Sequence, residues 1–183
     1  MSSIPPHTQV EIIGDAYFVV GGCPLALTDH VERTTRAALR YKEMVPALEL
    51  GDDVQIRIGL HTGPVIAGVV GLQDPRYHLF GDTVSYAENM ESHGVPSRVH
   101  VSEATAQILM ASSQTSQFKV TLRGPTEVKG FGTKNTYFVD RGQTKFPSAI
   151  VKDVLKASPS TTAIRSVKRR ESAGFGSDQV QDT

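Results

Sequence analysis

The sequence predicts an α+β domain in which helices pack on a mixed β-sheet. Three observations lead to this class. Apolar, β-branched runs interleave with helical patterns in the order β-β-α-β-β-β-α-β-α-β-β, residues 54–60 alternate between apolar side chains and polar or small ones, and residues 29–44 place apolar side chains at roughly helical spacing. Such interleaving places the helices on a sheet rather than in a bundle of their own.

The first predicted elements are two strands, residues 10–13 and 16–20, separated only by Gly14 and Asp15. A two-residue Gly-X connection between apolar runs is typical of a tight hairpin, so Asp15 is expected at a hairpin tip. An amphipathic helix over residues 29–44 follows. It can be capped by Thr28, and we expect Pro46 to stop it.

The period of two in residues 54–60 predicts a half-buried strand, with Arg57 pointing away from the core. We expect Asp82 to cap a helix over residues 82–91 that ends before Gly94. The remaining elements are strands at 65–70, 77–80 and 98–101, a helix at 104–110 capped by Ser102 and Glu103, and closing strands at 118–122 and 136–139.

Charge and cysteine content limit the partners of the 183-residue chain. Its 19 Lys and Arg balance 19 Asp and Glu, so no overall positive field exists to hold a nucleic acid. Its one cysteine, Cys23, cannot form an internal disulfide, which favours a reducing compartment. The six histidines show no pair at the spacing of metal ligands on one helix, which disfavours zinc.

Composition divides the chain into a lead over residues 1–9, a folded domain over residues 10–140 and a disordered tail, rich in Ser and Thr, over residues 141–183. The longest apolar stretch, residues 65–72, is too short to cross a bilayer. Residues 1–9 do not show the basic region followed by an apolar one that is typical of a signal peptide. We therefore expect no membrane contact by this segment and a cytoplasmic location, on its own or as the cytoplasmic portion of a larger membrane protein.

Five separated segments carry a family resemblance. They read VEIIGDAY from residue 10, RIGLHTGPV from residue 57, AGVVG from residue 67, PRY from residue 75 and LFGDTV from residue 79. Together with residues 90–92, 100–103 and 128–130, they resemble the catalytic domain of the class III nucleotidyl cyclases, most closely the eukaryotic guanylyl cyclases. The likeness covers about residues 10–140.

The resemblance implies a ferredoxin-like mixed sheet with helices packed on it, and a head-to-tail dimer of two such domains with a nucleoside triphosphate at their interface. One domain would supply carboxylates for two divalent ions, Mg²⁺ or Mn²⁺, and the other would supply groups for the base, the ribose and the transition state. In such chemistry the ions polarise the ribose 3′-oxygen and neutralise charge on the departing pyrophosphate.

Five residues fall on binding positions of the family. Asp15 matches a metal ligand, although an aspartate at a hairpin tip also suits turn chemistry. Glu11 matches an acid that accepts hydrogen bonds from the guanine edge, which favours GTP over ATP, although it could be a solvated strand residue. Arg57 and Lys129 match phosphate contacts and could each be surface charges. His78 stands where guanylyl cyclases usually carry Cys, and an imidazole can still donate to guanine O6.

Ser85 and Asn89 depart from the family's catalytic helix. These positions usually hold an Asn that orients the ribose and an Arg that stabilises the transition state, and a spacing of four keeps both on one helix face. Loss of such a cation costs on the order of 10³-fold in rate by analogy with arginine fingers. Both positions are likewise degenerate in the metal-supplying half of heterodimeric guanylyl cyclases, so this chain resembles that half.

The family's first strand, with an Asp-Ile-x-Gly-Phe pattern and the other metal carboxylate, is expected several dozen residues before Val10, where this sequence has nine residues. The resemblance therefore implies a fold without its first strand and helix, because the native chain is longer or because it is truncated. We expect no activity from these 183 residues as a monomer or homodimer.

Three functions follow from the resemblance. The first is a guanylyl cyclase domain that converts GTP to cyclic GMP and pyrophosphate at a dimer interface, as the metal-supplying half. The second is a degenerate subunit that dimerises with and regulates a true cyclase. The third is a related domain that binds nucleotide without chemistry. The partners expected for the first are GTP and a second cyclase domain.

Overall fold

The computed structural model describes residues 8–13, 16–47, 54–143 and 168–169. In chain order the strands are β1 (Thr8–Ile13), β2 (Ala16–Val20), β3 (Val54–Gln55), β4 (Ile58–Leu60), β5 (Ile66–Val70), β6 (Arg76–Phe80), β7 (Val99–Ser102), β8 (Phe118–Val128), β9 (Gly132–Arg141) and β10 (Lys168–Arg169). The helices are α1 (His30–Ala47), α2 (Asp82–Ser92) and α3 (Glu103–Ala111), and a short 3₁₀ helix covers Thr115–Gln117.

The largest sheet among the described strands has the order β4-β7-β9-β8. Strand β4 is parallel to β7, whereas β7 and β8 are both antiparallel to β9, so the sheet is mixed as the sequence predicts. The other pairs are the β1–β2 and β5–β6 hairpins and the contact of β10 with β3. This arrangement confirms the predicted α+β class.

Helices cover both faces of the sheet. Val99 and Val101 of β7 belong to a buried apolar core that also includes residues of α1 and α3. On the opposite face, His100 hydrogen-bonds the carbonyl of Met90 in α2. Helix α2 lies so close to β4 that a Cβ on Gly59 would be 2.1 Å from the backbone nitrogen of Glu91. Only glycine fits at this crossing.

A smaller apolar cluster joins the two hairpins to α2. Phe18 and Val20 of β2, Leu79 of β6 and Ala87 of α2 are its buried members. The cluster therefore fixes the β5–β6 hairpin against the start of α2, which is where the cleft described below opens.

Several predicted element bounds were wrong. Pro46 lies inside α1 rather than stopping it, because a proline near the end of a helix removes only one of the last hydrogen bonds. Asp82 does not cap α2; Gly81 occupies the N-cap position with no side-chain hydrogen bond. Ser102 does cap α3, since its side chain accepts from the backbone N–H of Thr105, as predicted.

Strand lengths also differ from the prediction. Residues 54–60 form two short strands, β3 and β4, and β8 and β9 run together far beyond the predicted residues 118–122 and 136–139. Among the described strands β8 pairs only with β9, so it lies at the edge of the sheet and tolerates Pro125 and the irregular register near Gly124.

The tail predicted over residues 141–183 lies mostly outside the described residues. Arg141 still belongs to β9, and within the rest the structure describes residues 142–143 and the two residues of β10. Of the predicted lead, residues 1–7 lie outside the described part, whereas Thr8 and Gln9 belong to β1. Within the described ranges, none of the helices combines the length and the apolar character needed to cross a bilayer.

Candidate functional site

A cleft of about 550 Å³ opens between the base of the β5–β6 hairpin and the first turns of α2. Its lining is mainly apolar and aromatic, with one carboxylate, that of Asp82. The lining residues are His61, Pro64, Val65, Ile66, Phe80, Gly81, Asp82, Thr83, Tyr86 and Phe131. An apolar cleft of this size with a few polar groups is typical of small-molecule sites.

Three aromatic rings in contact form one wall of the cleft. The rings of His61 and Tyr86 are nearly parallel, with centroids 4.1 Å apart, and the centroids of Tyr86 and Phe131 are 4.9 Å apart. The Nδ1 of His61 lies 2.7 Å from the hydroxyl of Ser102. Burial lowers the pKa of His61 to about 4, so its imidazole is neutral at pH 7. The wall therefore presents uncharged flat rings, a surface suited to stacking on a planar ring.

One face of the β5–β6 hairpin exposes three large apolar side chains. Ile66, Gly68 and Val70 pair with Phe80, His78 and Arg76, so these six residues share one face. Ile66 is 72% exposed, Phe80 49% and Val70 50%. The ring of His78 lies 6.1 Å from that of Phe80, which places the predicted base reader beside the cleft. We call these six residues the hairpin face.

The two predicted positions on α2 differ in their surroundings. Ser85 is exposed at the surface of the helix. The side chain of Asn89 is bonded, because its Oδ1 accepts from the backbone N–H of Lys129 at 2.9 Å and its Nδ2 donates to the carbonyl of Ser85 at 2.8 Å. The structure thus brings three of the predicted site residues, Ser85, Asn89 and Lys129, together at one place.

Arg57 is engaged elsewhere. Its guanidinium donates to Oε1 of Glu91 in α2, with Nη2 at 2.7 Å and Nε at 2.8 Å. Because Glu91 is only 7% exposed, the ion pair ties the segment before β4 to α2. Arg57 does not line the cleft, and its role as a phosphate contact stays a prediction.

The remaining predicted residues are Glu11 and Asp15. Glu11 belongs to β1 and pairs with Phe18 across an irregular register that begins at Gln9. Ile13 pairs with Ala16, and Asp15 between them lies outside the described residues. Both assignments stay predictions.

A metal site is not formed by the described residues alone. Within the described ranges no group of three or more His, Cys, Asp or Glu side chains could hold an ion. Carboxylate oxygens are the ligands that Mg²⁺ and Mn²⁺ prefer, so Asp15, which lies outside the described residues, has suitable chemistry for such an ion.

Sequence reasoning missed the ring wall. His61 lies inside the motif from residue 57 to residue 65, and Tyr86 is next to Ser85, but His61 was considered only as a candidate zinc ligand. Proximity to the motifs was the one available signal. The ring contacts of residues 61, 86 and 131 depend on tertiary structure, and no sequence spacing reveals them.

Comparisons by family model, by sequence and by structure all match this chain to nucleotidyl cyclases. The model of the adenylate and guanylate cyclase catalytic domain matches residues 4–141. The guanylate cyclase soluble subunit beta-2 of Rattus norvegicus is 46% identical over 144 residues, covering 76% of this chain and 20% of that protein. The human subunit of the same name is 40% identical over 180 residues, covering 90% of this chain and 28% of that protein. The chain thus spans less than a third of these relatives.

One solved structure of similar shape is the guanylate cyclase domain of RhGC from Catenaria anguillulae, in complex with GTP. It has a TM-score of 0.67 and 38% identity, covering 75% of this chain and 74% of that one. A guanylyl cyclase domain from Blastocladiella emersonii, described as a non-canonical dimer, has a TM-score of 0.64 and 36% identity, covering 75% of this chain and 73% of that one.

Proposed function

Because the chain belongs to the adenylate and guanylate cyclase catalytic domain family, we propose that it converts GTP to cyclic GMP and pyrophosphate at an interface with a second cyclase domain. The similar domain from Catenaria anguillulae was solved with GTP, and the one from Blastocladiella emersonii forms a non-canonical dimer. GTP binding and pairing of two domains are proposed for this chain by similarity, and the head-to-tail arrangement follows from the family resemblance.

The observation that carries the proposal is the exposed hairpin face beside the cleft. Exposed, contiguous apolar surface on a soluble domain marks an interaction site. Ile66, Val70 and Phe80 provide that surface, and His78 lies among them. A second domain docked on this face would close the open side of the cleft and exclude water from it.

The chain's own residues have distinct proposed roles. A head-to-tail pair of domains contains two nucleotide positions. At one of them this chain is proposed to supply the base readers, with His78 donating to guanine O6 and Glu11 accepting from the amino and ring N–H groups of the same base. Lys129 and Arg57 are proposed to bind the triphosphate, Lys129 as a point charge at the turn after β8. For Arg57 this requires a rearrangement, since its guanidinium is paired with Glu91.

At the other nucleotide position of the pair, Asp15 is the residue proposed to hold Mg²⁺ or Mn²⁺ through its carboxylate. A divalent ion bound there would supply charge neutralisation for the departing pyrophosphate. Since Ser85 and Asn89 carry no charge, we assign this chain to the metal-supplying half of a pair, and the complementary domain would provide the transition-state cation.

One observation favours a second candidate function, a degenerate subunit that regulates a true cyclase. Asn89 and Arg57 are both held by bonds within the domain. A domain that retains the hairpin face, but whose polar side chains are engaged in bonds within the domain, would bind a cyclase and modulate its activity without contributing to catalysis.

The test is cyclic GMP formation by this chain mixed with a guanylyl cyclase domain that keeps its base-reading residues and its transition-state arginine but lacks its own metal carboxylates. The proposal expects activity that Asp15→Asn reduces at least a hundredfold. Asp29→Asn, which removes a surface charge paired with Arg33 at the start of α1, is the matched control and should leave the rate unchanged. Full activity in Asp15→Asn would refute the metal assignment, and enhancement of an already active cyclase with no turnover here would favour the regulatory subunit.

A further inference from the structure

One side chain of α2 holds the turn between β8 and β9. The Oδ1 of Asn89 accepts from the backbone N–H of Lys129 at 2.9 Å, and its Nδ2 lies 3.4 Å from the carbonyl oxygen of the same residue. That Nδ2 also donates to the carbonyl of Ser85, one helical turn earlier. A single amide therefore joins the helix to both polar backbone groups of Lys129.

The turn needs such an attachment because its own backbone is permissive. Gly130 and Gly132 have φ values of 86° and 71°, in the region that glycine adopts readily. Within the turn, the N–H of Phe131 donates to the carbonyl of Val128 at 2.8 Å. The ring of Phe131 rests on Tyr86 of α2, so α2 contacts the turn on both sides of Gly130.

The side chain of Lys129 leaves this fixed backbone and is exposed. Within the described part of the chain, the two bonds of Lys129 to Asn89 use its backbone and leave the ammonium available. A long flexible side chain loses less freedom on binding when its backbone is already fixed. Asn89 thus restricts the volume that the ammonium can reach.

We propose that Asn89 is a positioning residue, which holds the backbone of Lys129 so that the ammonium is presented to the triphosphate of the bound nucleotide. The inference rests on the proposed function. Asn89 itself does not touch the ligand; it acts only through Lys129. At the position of Asn89 the resemblance expects an arginine that stabilises the transition state. In this chain the residue at that position instead positions the ammonium of Lys129.

The test is the equilibrium binding of a non-hydrolysable GTP analogue, with Mn²⁺, to the full chain in complex with a complete guanylyl cyclase domain. Asn89→Leu keeps a side chain of similar size but removes the amide. This variant and Lys129→Ala should each weaken binding of the analogue about three- to tenfold, which is the range expected for one net hydrogen bond or one exposed charge. The double variant should bind no more weakly than Lys129→Ala alone. Two independent effects would multiply instead.

Two further variants sharpen the comparison. Thr133→Ala removes a hydroxyl that donates to Glu127 in the same hairpin at 2.8 Å and should not change binding. Asn89→Asp keeps the acceptor for the N–H of Lys129 and should preserve slow hydrogen exchange of that amide. Asn89→Leu should accelerate its exchange about tenfold in NMR spectra.

The outcomes separate the two proposals. Multiplying effects in the double variant, or unchanged exchange at Lys129 in Asn89→Leu, would overturn the positioning role while leaving the proposed function intact. If the unsubstituted complex binds no GTP analogue, the proposed function fails, and the positioning role fails with it because there is no triphosphate to place.

Discussion

His100 is a buried histidine whose two ring nitrogens are both used. Its Nδ1 lies 2.7 Å from the carbonyl oxygen of Met90, and its Nε2 lies 3.1 Å from Nη1 of Arg123. The first contact requires a proton on Nδ1, and the second requires an unprotonated Nε2 that accepts from the guanidinium. Burial is the main cause that lowers the pKa of His100 to about 4. The bond to Met90 opposes it, and the charges of Arg123 and His93 lower the pKa further.

Acid should therefore destabilise the domain through His100. Because its pKa is lower in the folded chain than the ordinary value of 6.5, its stabilising contribution is complete above about pH 6.5 and is lost as the pH falls towards 4. We expect the free energy of unfolding to fall by about 2 kcal/mol from this residue between pH 7 and pH 4.5. Urea unfolding across this range measures it, and His100→Gln should flatten the profile. An equally steep profile in that variant would contradict the assignment.

At the scale of elements, the sequence predicted most strands and helices because their apolar periodicity is local. The long β8–β9 hairpin was underestimated because residues near Gly124 and Pro125 lack strand character and are carried by pairing with β9. Helix α2 was located correctly, but its contacts with Lys129 and with the rings of residues 61 and 131 arise from packing, which a single sequence does not encode in any spacing.

The packing of α2 on β4 yields a prediction for a pair of glycines. Gly59→Ala should strongly destabilise the domain, by about 3 kcal/mol or more, because its Cβ would overlap the backbone of Glu91 and force α2 from the sheet. Gly68→Ala in β5 is the matched control. No atom lies within 4 Å of the Cβ position there, so its effect should stay within about 0.5 kcal/mol. Chemical denaturation of both variants checks this, and equal stabilities would refute the close approach.

At the scale of the whole molecule, the hairpin face predicts where the second domain binds. Ile66→Asp places a charge on a residue that is 72% exposed, so it should leave folding intact and weaken association with a cyclase domain at least tenfold. Leu122→Asp, at a residue on β8 that is 58% exposed, provides a control on another surface. Sedimentation velocity of each mixture gives the affinities. Equal weakening by both substitutions, or by neither, would place the interface elsewhere.

The central claim is that GTP is cyclised at a site shared by two domains. Its most direct measurement is the rate of cyclic GMP formation from GTP at a fixed concentration of this chain while the complementary domain, inactive alone, is titrated in. A shared site predicts a rate that rises from near zero and saturates at one partner per chain. A rate that remains zero at every ratio, or one that does not depend on the partner, would contradict the account.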